Sequence, residues 1–205
     1  MGRSVVILAG GYSRRFGGPK AFVELAGKPL ILHVYDKARK LSDEVLIVIS
    51  PKDHVESFSR LFNDKASVVI DNGTVHSPLV GTLTGFERAS GEYSLLLPCD
   101  TPFLSEKVLS LLFDLCNGFD LTIPRWPNGY IEPLEAVYHT RSAVFAAKTA
   151  LSKGKIDMRS MISLLGKVRY VSTMVLEELD PLLNTFFNVN TRSDLAKAEG
   201  ILSGT

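Results

Sequence analysis

The sequence has few cysteines, little net charge and no long apolar stretch. Its two cysteines, Cys99 and Cys116, are too few for a disulfide framework, and no Cys/His spacing typical of a zinc site occurs. A net charge of +1 argues against a dedicated nucleic-acid-binding protein. No apolar run reaches the roughly 18 residues of a transmembrane helix. We therefore expect a cytoplasmic protein with two buried, reduced thiols and with neither a membrane nor a nucleic acid as partner.

Apolar strand patterns and amphipathic helix patterns alternate along the first part of the chain. Residues 4–9 form a short β-branched run, which is typical of a central parallel strand buried on both faces. Further strand patterns follow at 44–49, 67–70 and 93–97, each separated from the next by a helical pattern. This alternation predicts an α/β fold of three layers, Rossmann-like, with a mostly parallel sheet flanked by helices.

The rhythm changes after residue 119. Strand-like segments at 121–123 and 134–139 surround a turn-rich stretch at 124–129. Two helical patterns, a strand at 168–172 and a last helix over 191–203 follow, and Thr191 or Asn190 is the expected cap of that helix. No linker or repeat divides the sequence, so we expect one domain over 1–205 with its second half built onto the first.

Ligands of such sheets bind beyond the carboxyl ends of the strands. The loop after the first strand, residues 10–20, contains four glycines whose backbone N–H groups can approach an anion closely. Arg14, Arg15 and Lys20 add positive charge, and together these features predict a polyphosphate cradle. The loop is not a Walker A motif, because Ala21 follows the lysine, and it lacks the GxGxxG fingerprint. A surface loop with solvated cations is the simpler alternative.

The strand at 93–97 leads into the segment CDTPF at 99–103, which contains Asp100. A carboxylate at the end of an apolar strand, opposite a phosphate loop, suits Mg²⁺, which prefers oxygen ligands and substrate phosphates. The alternative is a capping or turn aspartate before the next helix. Ser105 is itself a good helix cap, so Asp100 is not needed in that role.

Five segments, in order and with similar spacing, resemble the molybdenum cofactor guanylyltransferases, the MobA family of nucleotidyltransferases. They are LAGGYSRRFGGPK at 8–20, PLVGTLTG at 78–85, CDTPF at 99–103, EPLEAVY at 132–138 and FNVNT at 187–191. The resemblance implies a nucleotidyltransferase fold with a nucleotide-binding half of about 1–118 and an acceptor-binding half of about 119–205. It also implies transfer of GMP from GTP to the phosphate of molybdopterin or of the molybdenum cofactor, with release of pyrophosphate.

The resemblance also implies roles for individual residues. Arg15, Lys20 and Asp100 are the expected catalytic residues, and Asp100 is the expected ligand of the cofactor Mg²⁺. The expected nucleotide-binding residues are Leu8, Ala9, Gly10, Gly11, Lys20, Asp71 and Asp100. The expected acceptor-binding residues are Arg159, Asn188 and Asn190. The implied partners are GTP and a pterin phosphate, together with transient contact with molybdoenzyme maturation proteins.

Two other kinds of protein fit part of this pattern. A related transferase that uses CTP or another phosphorylated acceptor is the first alternative. The cytidylyl relatives tend to carry Ala-Ala-Gly, whereas this chain has Ala9-Gly10-Gly11, and the one missing Cβ leaves room for a purine. The second alternative is a nucleotide-binding regulatory module without catalysis, but Lys20 and Asp100 are both present. The pattern assigns no role to Glu132 or to Ser50-Pro51.

Overall fold

The structure is a computed structural model that describes residues 2–13, 15–42, 44–51, 55–63, 65–71, 75 and 77–204. The strands of the described residues are β1 Arg3–Leu8, β2 Tyr12–Ser13, β3 Gly18–Pro19, β4 Glu24–Leu25, β5 Lys28–Pro29, β6 Glu44–Ile49, β7 Ser67–Ile70, β8 Tyr93–Pro98, β9 Leu121–Arg125, β10 Ala136–His139 and β11 Val168–Ser172. The helices are α1 Leu30–Ala38, α2 Val55–Phe62, α3 Pro78–Arg88, α4 Glu106–Leu115, α5 Thr140–Ser152, α6 Met158–Ile162, α7 Thr173–Leu176 and α8 Arg192–Ser203. Two 3₁₀ turns lie at Lys20–Phe22 and Asn184–Phe186.

Seven strands form the central sheet, in the order β11-β9-β10-β8-β1-β6-β7. All neighbours pair in parallel except β10, which runs antiparallel to both β8 and β9. Six carboxyl ends therefore meet at one edge of the sheet, which is called the carboxyl edge below. The opposite edge is called the amino edge. The predicted α/β architecture with a mostly parallel sheet is confirmed.

The core lies on both faces of this sheet. Along β1, Val5 and Ile7 pack into the cluster beneath α1, α2 and α4, whereas Val6 packs into the cluster beneath α3, α5 and α6. Successive side chains of a strand point to opposite faces, so the apolar run of β1 contributes to the cores on both faces of the sheet. Cys99 and Cys116 are both buried thiols, as expected.

Helix α3 packs very closely on the sheet. A Cβ atom added at Gly85 would lie 2.4 Å from Cγ1 of Val6, and one at Gly81 would lie 3.3 Å from Cδ2 of Leu8. The glycine-containing face of α3 thus lets its backbone approach β1 more closely than any larger residue would allow. Ser77 caps the amino end of α3 by accepting a hydrogen bond from the Val80 amide, 3.2 Å away.

Most predicted elements are present, with ends shifted by a few residues. Thr191 caps α8 in a capping box with Asp194, and Ser105 caps α4, both as expected. The hairpins β2–β3 and β4–β5, helix α7 and the two 3₁₀ turns were not predicted, because segments of two to four residues carry no hydrophobic period. In the part of the chain that the structure describes, no helix is both long and apolar enough to cross a membrane.

Candidate active site

The glycine-rich loop leaves β1 at the centre of the carboxyl edge. Ala9 is buried, and its amide donates a hydrogen bond to the Val48 carbonyl of β6 at 2.8 Å. A Cβ at Gly10 would lie 2.8 Å from the backbone nitrogen of Ser50, so only glycine allows the chain to pass the end of β6 this closely. Gly11 has a φ of +130°, a conformation that residues with a Cβ rarely adopt.

The loop then folds back on itself. Strands β2 and β3 pair antiparallel, and the amides of Phe16 and Gly17 donate to the Ser13 carbonyl at 3.3 and 2.9 Å. Arg15 lies exposed at the turn of this hairpin, while Arg14 lies outside the described residues. The hairpin returns the chain to the carboxyl edge at Lys20. The segment predicted to bind phosphates therefore forms a short hairpin in the structure.

Lys20, Asp100 and Asn190 meet at one point of the carboxyl edge. The Lys20 ammonium forms an ion pair with Oδ2 of Asp100 and donates a hydrogen bond to Oδ1 of Asn190 at 2.6 Å. The Lys20 and Asp100 side chains are only 18% and 12% exposed, so bulk solvent screens this pair weakly. Three of the residues predicted from separate motifs are thus in direct contact.

The segment around Asn190 is tied to the Asp100 turn by the backbone. The Val189 amide donates to the Asp100 carbonyl at 2.9 Å, and the Val189 side chain is fully buried. The amide of Asn190 donates to Asp194 at 3.0 Å, which joins this segment to the cap of α8. Unlike Asn190, Asn188 forms its side-chain hydrogen bond within its own segment: its amide donates to the Phe186 carbonyl at 3.1 Å.

Asp71 lies at the same edge but on the far side of β1. It follows β7, its amide donates to the Ile49 carbonyl at 2.8 Å, and its carboxylate accepts a hydrogen bond from the Thr84 hydroxyl at 3.3 Å. Strands β6 and β1 separate β7 from β8, so the strands that precede Asp71 and Asp100 are three inter-strand spacings apart, about 14 Å across the sheet. Gly10 and Gly11 lie between them.

Arg159 lies away from this centre, exposed on α6, whose amino end is capped by Asp157. It lines a groove of about 510 Å³ with Arg125 and Tyr170, at the end of the sheet formed by β9 and β11. The Arg125 guanidinium lies 4.8 Å from the centroid of the Tyr170 ring. No contact among the described residues joins Arg159 to Lys20 or Asp100.

Comparison with known proteins identifies the family. The family model of the MobA-like NTP transferase domain matches residues 5–169. The molybdenum cofactor guanylyltransferase of Desulfosudis oleivorans is 34% identical over 200 residues, which span 96% of this chain and 94% of that protein. This chain belongs to the MobA-like NTP transferase family. It is therefore a nucleotidyltransferase, as the resemblance implied.

Two solved structures place this family member among its structural neighbours. Molybdopterin-guanine dinucleotide biosynthesis protein A from Archaeoglobus fulgidus superposes with a TM-score of 0.81 at 28% identity, covering 98% of this chain and 100% of that chain. The 2-C-methyl-D-erythritol 4-phosphate cytidylyltransferase of Thermus thermophilus superposes with a TM-score of 0.72 at 20% identity, covering 99% of this chain and 100% of that chain. The second likeness shows the fold alone.

Two glutamates beside Asp100 were given no role by the sequence. Glu132 accepts a hydrogen bond from Nε1 of Trp126 at 2.6 Å, yet burial raises the pKa of the Glu132 carboxyl. Burial also raises the pKa of Glu135 well above its ordinary value, and the negative charges of Glu132 and Asp100 add to this effect. No local sequence signal separates these two glutamates from ordinary polar positions beside a strand.

The donors at the carboxyl edge suit a divalent cation that binds together with a nucleotide. No cluster of three Asp, Glu, His or Cys side chains within the described ranges could enclose a metal ion alone. Mg²⁺ uses one or two carboxylates and takes its remaining ligands from phosphates and water. The Lys20 ammonium on Asp100 already marks this position as one that attracts positive charge. The residues present therefore fit a site that is completed by substrate phosphates.

Proposed function

We propose that this chain transfers GMP from GTP to the terminal phosphate of molybdopterin or the molybdenum cofactor and releases pyrophosphate. The observation that carries the proposal is the contact of Lys20, Asp100 and Asn190 beside the glycine-rich loop. The names of the 30–34% identical relatives favour guanylyl over cytidylyl transfer.

The reaction needs positioning and charge neutralisation more than covalent help from the protein. An oxygen of the acceptor phosphate attacks the α-phosphorus of GTP, and the bond to the bridging oxygen breaks, so that pyrophosphate leaves with the electron pair. In this proposal Lys20 and Arg15 neutralise the phosphate oxygens, and Asp100 holds Mg²⁺. When bound, Mg²⁺ draws negative charge from the phosphates toward the leaving group.

The remaining residues divide between the two substrates. Leu8, Ala9, Gly10 and Gly11 hold the guanine and ribose against the end of β1, and Asp71 contacts the nucleotide from the end of β7. The strands that precede Asp71 and Asp100 are about 14 Å apart across the sheet, a distance that one nucleotide can span. On the acceptor side, Asn190 acts next to Lys20, while Asn188 and Arg159 contact more distant parts of the pterin.

The direct test is to incubate the purified protein with each α-³²P-labelled nucleoside triphosphate, Mg²⁺ and molybdopterin, and to identify the labelled product. We expect a guanine dinucleotide from GTP and little or no product from ATP or CTP. A cytosine dinucleotide formed equally fast would overturn the proposal, and so would transfer to a sugar phosphate in preference to molybdopterin.

The choice of base can be measured separately from transfer. Backbone donors and acceptors next to Gly10 and Gly11 can distinguish the guanine O6 and N1–H from the inverted pattern of adenine. An unpaired buried polar group costs about 1–3 kcal/mol, so the wrong base should bind at least several-fold more weakly. Calorimetric titration with GTP, ATP and CTP checks this, and equal or tighter binding of CTP contradicts it.

A further inference from the structure

Glu135 lies immediately before β10, next to the carboxyl end of β8. The register pairs Ala136 with Leu96, which brings Glu135 beside the strand end from which the Asp100 turn departs. The residue is only 2% exposed. Because β10 is paired on both sides, with β8 and with β9, the backbone at Glu135 is held firmly in this position.

The Glu135 carboxylate lacks a partner within the described part of the chain. None of the residues that the structure describes donates a hydrogen bond to it or forms an ion pair with it. Lys20, the cation that pairs with Asp100, is bound to Asp100 and Asn190. A buried carboxylate is costly unless it is paired, hydrogen-bonded or bound to a metal, so Glu135 is an unusual residue for the protein interior.

The charges around Glu135 are negative. Glu132 and Asp100 both act on it electrostatically, and Glu132 itself accepts a hydrogen bond from Nε1 of Trp126. Three carboxylates and one ammonium group thus share this part of the carboxyl edge. The arrangement attracts a further cation, and a divalent ion would satisfy two carboxylates together.

We propose that Glu135 is the second carboxylate of the divalent-cation site and binds the ion jointly with Asp100. The inference rests on the proposed function, because phosphate oxygens of the bound nucleotide supply further ligands. Two carboxylates with phosphates and water are a donor set that Mg²⁺ accepts. Glu135 suits the role better than Glu132, whose Oε1 is held by Trp126.

The test uses Mn²⁺ as a spectroscopic substitute for Mg²⁺. Free Mn²⁺ is measured by electron paramagnetic resonance during titration into the full-length protein with the α,β-methylene analogue of GTP, which does not transfer. We expect Glu135→Gln to weaken Mn²⁺ binding about tenfold or more, as the loss of a metal-site group does elsewhere. Asp100→Asn should have at least as large an effect.

Glu132→Gln is the matched control, since it removes a neighbouring charge without changing shape, and it should keep Mn²⁺ affinity within about threefold of wild type. Nucleotide affinity in EDTA should be the same in Glu135→Gln and in wild type. Mn²⁺ affinity that is unchanged in Glu135→Gln overturns the proposal. So does a loss that Glu132→Gln reproduces in full, because general charge and not ligation would then explain it.

Two further arms keep the test decisive. If Glu135→Gln fails to fold, Glu135→Asp takes its place, because aspartate keeps the charge on a side chain that is one methylene shorter. Unchanged Mn²⁺ affinity in Glu135→Asp also overturns the proposal. Repeating the titration with the CTP and ATP analogues separates this inference from the proposed function. A wrong base assignment would change which analogue binds, while the dependence of Mn²⁺ binding on Glu135 would remain.

Discussion

Carboxylates lie at both edges of the central sheet, but their surroundings differ. At the amino edge, Asp120 accepts hydrogen bonds from the Ser142 hydroxyl at 2.7 Å and from the amides of Lys167 and Gly166 at 2.9 and 3.1 Å. These bonds lower the pKa of Asp120. At the carboxyl edge, burial and neighbouring negative charge raise the pKa of Glu135.

Glu44 repeats the pattern of the amino edge. Its carboxylate accepts hydrogen bonds from the Ser4 hydroxyl and from the Ser90 amide, the latter at 2.9 Å. Burial acts in the opposite direction, but these hydrogen bonds prevail and lower the pKa of Glu44. The amino edge thus satisfies Asp120 and Glu44 from within the protein, whereas at the carboxyl edge Glu135 lacks such a partner among the described residues. Groups with pKa values shifted by burial and like charge are typical of functional sites.

The largest expected effect tests the carboxyl edge. Asp100→Asn should reduce transfer by about two orders of magnitude or more, comparable to the loss of one main electrostatic contact in other active sites. Because Lys20 loses its ion pair, we also expect stability to fall by about 1–2 kcal/mol. Steady-state kinetics and thermal melting measure the two effects. Asp114→Asn, which breaks an exposed pair with Arg3, is the control and should leave turnover unchanged.

If Asp100→Asn keeps Mg²⁺-dependent turnover, Asp100 is a structural turn residue. The metal would then bind another carboxylate of the carboxyl edge.

A smaller loss is expected when the cations are removed. Lys20→Ala and Arg15→Ala should each lower kcat/KM about 10–100-fold, since a hydrogen bond to a charged group contributes about 1.5–3 kcal/mol. The two variants should differ in stability, because Lys20 is largely buried against Asp100 while Arg15 is exposed. We therefore expect a lower melting temperature for Lys20→Ala alone. Full turnover in either variant rejects a phosphate role for that residue.

The smallest effect tests the amino edge. Asp120→Asn should lower stability by about 1–2 kcal/mol at pH 7 and leave turnover unchanged. The folded pKa of Asp120 is lowered, so its stabilisation is present above the ordinary value of 3.8 and is lost as the pH falls below it. The difference in melting temperature between Asp120→Asn and wild type should therefore shrink from pH 7 to pH 3. A difference that does not change with pH would show that shape and not charge matters at this position.

Much of the fold and part of the site follow from the sequence. Short apolar runs such as the one within 44–49 indicate buried strands, and the rule that ligands bind at the carboxyl ends of strands predicts that Lys20 and Asp100 lie at the same edge of the sheet. Asn190 could be identified as a site residue only through the family resemblance. No local pattern relates it to Lys20, which is 170 residues away. The proposed roles of these residues in binding and catalysis remain predictions.

Other features depend on long-range register and could not be read locally. The burial of Glu135 follows from the pairing of β10 with two strands distant in sequence, whereas its local pattern is that of any polar strand position. The hairpin that carries Arg15 has strands of two residues, too short for a periodic signal. The distance between Arg159 and the Lys20 centre is set by how α6 packs, which its sequence alone does not fix.

Helix α3 packs so closely on β1 that side chains at positions 6 and 85, far apart in the sequence, would compete for the same space. A Cβ at Gly85 would overlap Cγ1 of Val6, and the same helix carries Thr84, the hydrogen-bond donor to Asp71. A methyl group gained at position 85 must displace the helix unless an equal volume is lost at position 6. Alanine at position 85 alone would therefore push α3 away from β1, and it would move Thr84, the hydrogen-bond donor to the residue proposed to contact the nucleotide, along with the helix.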